Sequence, residues 1–152
     1  MRLAAFLPVA LMLAACGEGP ATPPETAPAA PVIATDMVNP VEDPFCTFTA
    51  ENAETSGEEI PYVFVTSIGD SVYHGYAKLD GTVRELTEIE AGFGAGLETR
   101  RYVTDDDSIE LEVILLTEQE RPTATEYTGS VRVIYPVEGE AVKFYGECQA
   151  ED

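Results

Sequence analysis

The chain is 152 residues long and carries 28 Asp and Glu against 8 Lys and Arg, a formal charge of −20. Phosphate backbones and anionic lipid headgroups are bound mainly through Lys and Arg, so this balance excludes nucleic acid and charge-driven membrane attachment as partners. The first forty or so residues differ in composition from the remainder, which is one domain's worth of sequence, able to bury a modest core that benefits from a covalent staple.

Met1 and Arg2 precede an uncharged run from Leu3 to Ala15, the charged-then-apolar order of an export signal. The run is shorter than the about 20 residues a membrane-spanning helix needs, and Pro8 interrupts it. It ends in Leu13-Ala14-Ala15-Cys16, which resembles the lipobox of bacterial lipoproteins at all four positions. The resemblance covers residues 1–16. It implies that residues 1–15 are a signal peptide, that Cys16 becomes a lipidated N-terminus, and that the protein is anchored in the bacterial cell envelope. Two or three acyl chains make such attachment effectively permanent, because each buried CH₂ adds about 0.8 kcal/mol. Gly17 stands where an Asp would resemble an inner-membrane retention signal, which points to the outer membrane, facing the periplasm.

Residues 16–44 read as the lipidated cysteine and a Pro/Ala/Thr-rich tether. Pro20, Pro23, Pro24, Pro28, Pro31, Pro40 and Pro44 disfavour helix and ladder pairing and favour extended chain, which at about 3.1 Å per residue reaches on the order of 85 Å.

From residue 45 the pattern changes to short β-rich runs with period-two alternation and turn residues every eight to twelve positions. Eight strands are predicted, over 45–50, 60–68, 71–79, 82–90, 97–104, 108–116, 126–135 and 140–149. In the seventh, Tyr127, Gly129, Val131, Val133 and Tyr135 share the core face. In the sixth, Ile109, Leu111, Val113 and Leu115 do, while Ile114 and Leu116 suggest that its second half is covered on both faces. Asp80-Gly81 has the residue types of a two-residue hairpin turn, and Gly69-Asp70 is a weaker second one. The fold class is all-β, an antiparallel up-and-down barrel or a sandwich, since either manages the exposed strand edges. With Cys16 committed to lipid, Cys46 and Cys148 lie at the start of the first strand and the end of the last, both on inward faces. An oxidising envelope favours pairing them, and closing a loop of about 100 residues adds about 4.7 kcal/mol in the chain-entropy model.

Candidates for chemistry are few. His74, the sole histidine, shares a strand face with Val72, Tyr76 and Lys78 and lacks a nucleophile with a recognisable motif, so it reads as a surface or packing residue. The segment Gly92-Phe93-Gly94-Ala95-Gly96 lacks the spacing and the following helix of a phosphate cradle and reads as a mobile loop. Asp105, Asp106 and Asp107 are consecutive rather than alternate, which suits a hairpin tip better than a calcium loop. Glu88 and Glu90 are placed on one strand face, mostly solvated. Two cysteines without a neighbouring histidine fall short of a zinc site. No catalytic set, metal or cofactor is expected.

The functional expectation is therefore a tethered binding or interaction module, not an enzyme, whose acidic surface suits a cationic envelope or secreted protein. Phe93, Tyr73 and Tyr145 are the candidate contact residues. Small lipoproteins of the membrane-bound lysozyme inhibitor family are similar in combining a lipobox, a compact antiparallel β-barrel and a disulfide, which implies inhibition of a cationic cell-wall hydrolase as an alternative function. Gly96-Leu97-Glu98-Thr99-Arg100-Arg101-Tyr102 resembles their loop before an Arg-Tyr but lacks its Ser-Gly, so no inhibitory residue is carried over. A structural lipoprotein without a small ligand is the other alternative.

Overall fold

The computed structural model describes residues 26–54, 57 and 59–150; the expected signal peptide, residues 1–15, and Cys16 lie outside them. Eight strands, β1 (Cys46–Ala50), β2 (Phe64–Gly69), β3 (Val72–Leu79), β4 (Thr82–Gly94), β5 (Leu97–Thr104), β6 (Glu110–Glu120), β7 (Ala124–Tyr135) and β8 (Val142–Gln149), form a closed antiparallel barrel in chain order. Each strand pairs with the next, and β8 returns to β1, so the ladder has no free edge to blunt. The expected Asp80-Gly81 turn is present, with φ of 48° and 81°. The turn after β2 falls one residue later than expected, at Asp70 and Ser71, both with positive φ.

Alternation decides what fills the interior. Phe48, Phe64, Phe144 and Tyr102 are fully buried among Leu86, Leu111, Val113, Leu115, Val131 and Val133. Burying each such ring contributes on the order of 1.5–3 kcal/mol. Two glycines make room for them. A Cβ on Gly146 would lie 2.0 Å from the Thr47 carbonyl oxygen and 2.7 Å from Phe48 Cδ1, and one on Gly75 would lie 2.6 Å from Phe64 Cζ. Phe48 lies directly opposite Gly146 in the β1–β8 ladder, and its ring packs on Phe144 at 4.5 Å.

Cys46 and Cys148 also face each other across that ladder and are joined by a disulfide, with Cα atoms 4.0 Å apart. The bond links the first strand to the last at the seam where the barrel closes.

Several boundaries differ from the sequence reading for identifiable reasons. β2 begins at Phe64 rather than residue 60, after Pro61, which has no N–H to give a ladder. β4 runs on to Gly94, so the glycine-rich segment is strand and tight hairpin turn, with Ala95 and Gly96 both at positive φ, rather than a loop. Leu116 is half exposed, so the end of β6 is covered on one face alone. The second half of the expected tether also departs from a free spacer. Met37 and Tyr62 exchange backbone hydrogen bonds, Ile33 bridges Leu79, and Lys78 Nζ holds Asp36 at 3.0 Å. Ile33 and Met37 are buried, and Gly139 packs beside Ala30 and Pro31. The segment is a strap that crosses the barrel end where β3 meets β4. Its physical cause is a proline-free stretch, residues 32–39, with two apolar side chains to bury.

Candidate functional site

The opposite end of the barrel, where β1 starts and β8 ends, holds a cavity of about 500 Å³. Eight-stranded barrels have interiors just wide enough for their own side chains or for one small ligand, and here the barrel divides along its axis into a filled end and an end with space. The strap end is packed solid with aromatic and branched side chains. At the open end the inward positions are Tyr73, Glu88, Ala91, Phe93, Glu98, Arg100, Thr125 and Tyr127, which leave space between them.

A β-bulge in β4 sets this lining. The β4–β5 register shifts between Glu88 and Glu90, so that Glu88 lies opposite Tyr102 and Glu90 opposite Arg101. The extra residue, Ile89, moves the inward positions from even to odd numbers. Leu86 and Glu88 therefore point in before the bulge, and Ala91 and Phe93 after it. Glu88 and Glu90 consequently stand on opposite faces, which corrects the expectation that they share one. Glu88 is buried to 14% side-chain exposure, while Glu90 lies outside and pairs with Arg101 at 2.9 Å.

Among the described residues, Arg100 is the one basic side chain in the lining of the cavity. Its guanidinium donates from Nη1 to Glu88 Oε2 at 2.8 Å, and from Nε and Nη2 to Glu98 Oε2 at 3.2 and 3.0 Å. It also lies over the Tyr73 ring at 4.9 Å and the Phe93 ring at 5.5 Å, within cation–π range. Burial alone would lower the Arg100 pKa, but the bonds to Glu88 and Glu98 outweigh it and the net shift is upward. The guanidinium is charged at any physiological pH. Tyr127 Oη contacts Glu98 Oε1 at 3.4 Å. Burial, reinforced by Glu98, raises the Tyr127 phenol, and burial with Glu88 does the same to Tyr102, so both phenols are neutral donors. The arrangement is a desolvated carboxylate–guanidinium–carboxylate triad with an aromatic wall. A cavity of this size with few convergent polar groups is suited to holding a small organic molecule.

Of the residues singled out from the sequence, Phe93 and Tyr73 both line this cavity. Phe93 is 71% exposed at its rim. Tyr73 is half buried and inward-facing rather than on the outer wall, and its ring stacks edge-on against Phe45 at 5.6 Å. Cys46 and Cys148 are also in the lining. Tyr145 lies apart, half exposed on the outer wall, in a shallow concavity with Ile60, Tyr62, Glu118, Glu126 and Glu147. Sequence reasoning missed Glu88, Glu98, Arg100 and Tyr127 as site residues. Alternation within β5 offered a signal, since Arg100 shares a face with Tyr102, but nothing marked that face as inward.

His74 lies on the outer wall, 3.0 Å from a Glu85 oxygen. The Asp105 to Asp107 run is a hairpin tip between β5 and β6, as expected. There Asp106 accepts hydrogen bonds from Ser108 and Thr104 hydroxyls, which hold its carboxyl well below the usual range, with Arg84 adding to the effect. Among the described residues every arginine is paired with at least one carboxylate, and no group of three or more His, Cys, Asp or Glu side chains is arranged to hold a metal ion. The segment that resembles the lysozyme inhibitor loop begins in the β4–β5 turn and continues as β5, with Arg100 and Tyr102 directed into the barrel. Comparison with protein-family models, with curated proteins and with solved structures finds no match.

Proposed function

We propose that this chain is an exported bacterial lipoprotein, anchored in the envelope through Cys16, whose barrel is a binding module with the cavity at its open end as the ligand site. One observation carries the reading. A barrel that is filled and strapped at one end leaves about 500 Å³ at the other, beside the disulfide and around a buried ion triad. Desolvating three charges is costly and seldom adds stability relative to an apolar core of the same volume, so a purely structural barrel has little reason to build it. The test uses the chain from residue 16 with Cys16→Ser, so that no acyl chain of its own can enter. Titration with the neutral fluorophore N-phenyl-1-naphthylamine should show saturable one-to-one binding, lost in a Tyr73→Ala/Phe93→Ala double variant that retains the β-sheet circular dichroism. Absence of saturable binding, or binding unchanged in the double variant, contradicts the cavity reading.

The outer concavity around Tyr145 supports a second reading, in which a cationic protein, a cell-wall hydrolase included, docks on the wall. Ile60 and Tyr145 supply exposed apolar surface beside Glu118, Glu126 and Glu147. Immobilised lysozyme in a salt series distinguishes it. Binding that survives 0.15 M salt and falls with Tyr145→Ala supports docking there, whereas attraction that vanishes as the Debye length shrinks to about 8 Å is unspecific.

A further inference from the structure

The charges in the cavity identify the class of molecule it takes. Two carboxylates, Glu88 and Glu98, flank a single guanidinium, so the buried triad carries one excess negative charge. Three nitrogens of Arg100 are already engaged with those carboxylates. An entering anion would meet a guanidinium that is shared twice over and two carboxylates that repel it. The field of the whole domain acts in the same sense, because from Cys46 onward Asp and Glu outnumber Lys and Arg by 16. Such a field raises the local concentration of cations and lowers that of anions.

Of the two Glu98 oxygens, Oε1 is the less engaged. Its partner oxygen Oε2 takes two bonds from Arg100, at 3.2 and 3.0 Å, whereas Oε1 has one longer contact, 3.4 Å, from the Tyr127 hydroxyl. An ammonium placed there would gain a carboxylate and the rings that already bracket one cation, since Tyr73 and Phe93 hold Arg100 at 4.9 and 5.5 Å. Much of the remaining wall is apolar, with Phe45, Phe48, Val113 and Leu115 beside the space and Thr66, Thr125 and Gln149 the polar exceptions. A short hydrocarbon or aryl body belongs against those side chains, and a strongly hydrated polar one does not.

We infer that the cavity binds a small organic cation, an ammonium group on a compact apolar body, with Glu98 as its counter-charge and Tyr73 and Phe93 as its aromatic clamp. This rests on the cavity being a ligand site. It is tested by displacing N-phenyl-1-naphthylamine from the Cys16→Ser chain, at pH 7 and 0.15 M salt, with octylammonium, octanol and octanoate. These share one tail and differ in charge. Octylammonium should displace the probe at a concentration about tenfold below octanol, with octanoate the weakest. Glu98→Gln, which makes the triad neutral, should bring octylammonium and octanol to within about twofold of each other. If that variant fails to fold, the order of the three competitors on the unaltered cavity decides alone. Octanoate or octanol displacing the probe as well as octylammonium overturns the cation assignment while leaving the cavity standing. No probe binding at all overturns the cavity reading, and this inference with it.

Discussion

Arg100 and Arg101 are neighbours in sequence and sit in opposite solvents. Arg100 points inward to Glu88 and Glu98 at 14% side-chain exposure, and Arg101 points outward to Glu90 and Glu110 at 38%. Removing Arg100 leaves two buried carboxylates facing each other without their cation, and breaking a buried pair costs about 3 kcal/mol or more. The outer pair is less desolvated, because Arg101 and Glu90 face water, which screens their contact, and Glu110 alone is mostly covered. Urea unfolding should therefore show a clearly larger loss of stability for Arg100→Met than for Arg101→Met, and equal losses would mean that the triad is solvated. Asp106 gives a pH test at the same scale. Its carboxyl is held low in the folded state by Ser108 and Thr104, so its stabilisation is present above the unfolded value and lost as pH falls below about 4. The unaltered protein should lose more stability than Asp106→Asn between pH 5 and pH 2, read as the change in urea midpoint. Sequence alone made the two arginines look alike, because alternation says that they part company and says nothing of which one goes in.

Within the elements, the bulge at Ile89 and the glycines under the rings matter most. Alternation located all eight strands to within a few residues, because the interior of a closed barrel imposes a strict period of two on every strand. It failed where the period itself breaks. Glu88 and Glu90 share parity, and only the extra residue between them, visible as a register shift against β5, sends them to opposite faces. Phe93 was legible as a contact residue by its isolation among glycines, yet its place at a cavity rim depends on that same shift. Gly146 was legible as inward from its alternation with Phe144 and Cys148, while the reason for a glycine there is the backbone and ring packed against it. Gly146→Ala should destabilise the barrel by about 3 kcal/mol or more, since its Cβ would meet a carbonyl oxygen at 2.0 Å. Gly92→Ala, whose Cβ would lie 3.8 Å from the nearest heavy atom, should change stability by less than about 0.5 kcal/mol. Thermal melts of the two variants separate these cases.

Taken whole, the molecule is a barrel with one end sealed and the other open. The disulfide between the first and last strands spans a sequence separation of 102, and constraint of the unfolded chain over about that length adds about 4.7 kcal/mol before any offset. A Cys46→Ala/Cys148→Ala variant should accordingly show a urea midpoint well below that of the oxidised protein, and a midpoint that is unchanged would mean that the seam contributes nothing to stability. That pairing was readable from the inward alternation of both cysteines, together with the expectation of an oxidising compartment. The strap was hidden, because prolines on either side made the whole segment look like a spacer and two isolated apolar residues, Ile33 and Met37, carry no period. The cavity was hidden for a different reason: empty space is a property of how eight faces meet, and no one strand encodes it.

The most direct measurement is the set of intermolecular nuclear Overhauser contacts between bound N-phenyl-1-naphthylamine and the protein. A ligand site at the open end predicts contacts to the ring protons of Tyr73, Phe93 and Tyr127 and to the Leu115 methyls, all of which line it. Contacts confined to Ile60, Tyr62 and Tyr145 on the outer wall, or none at all, would contradict it.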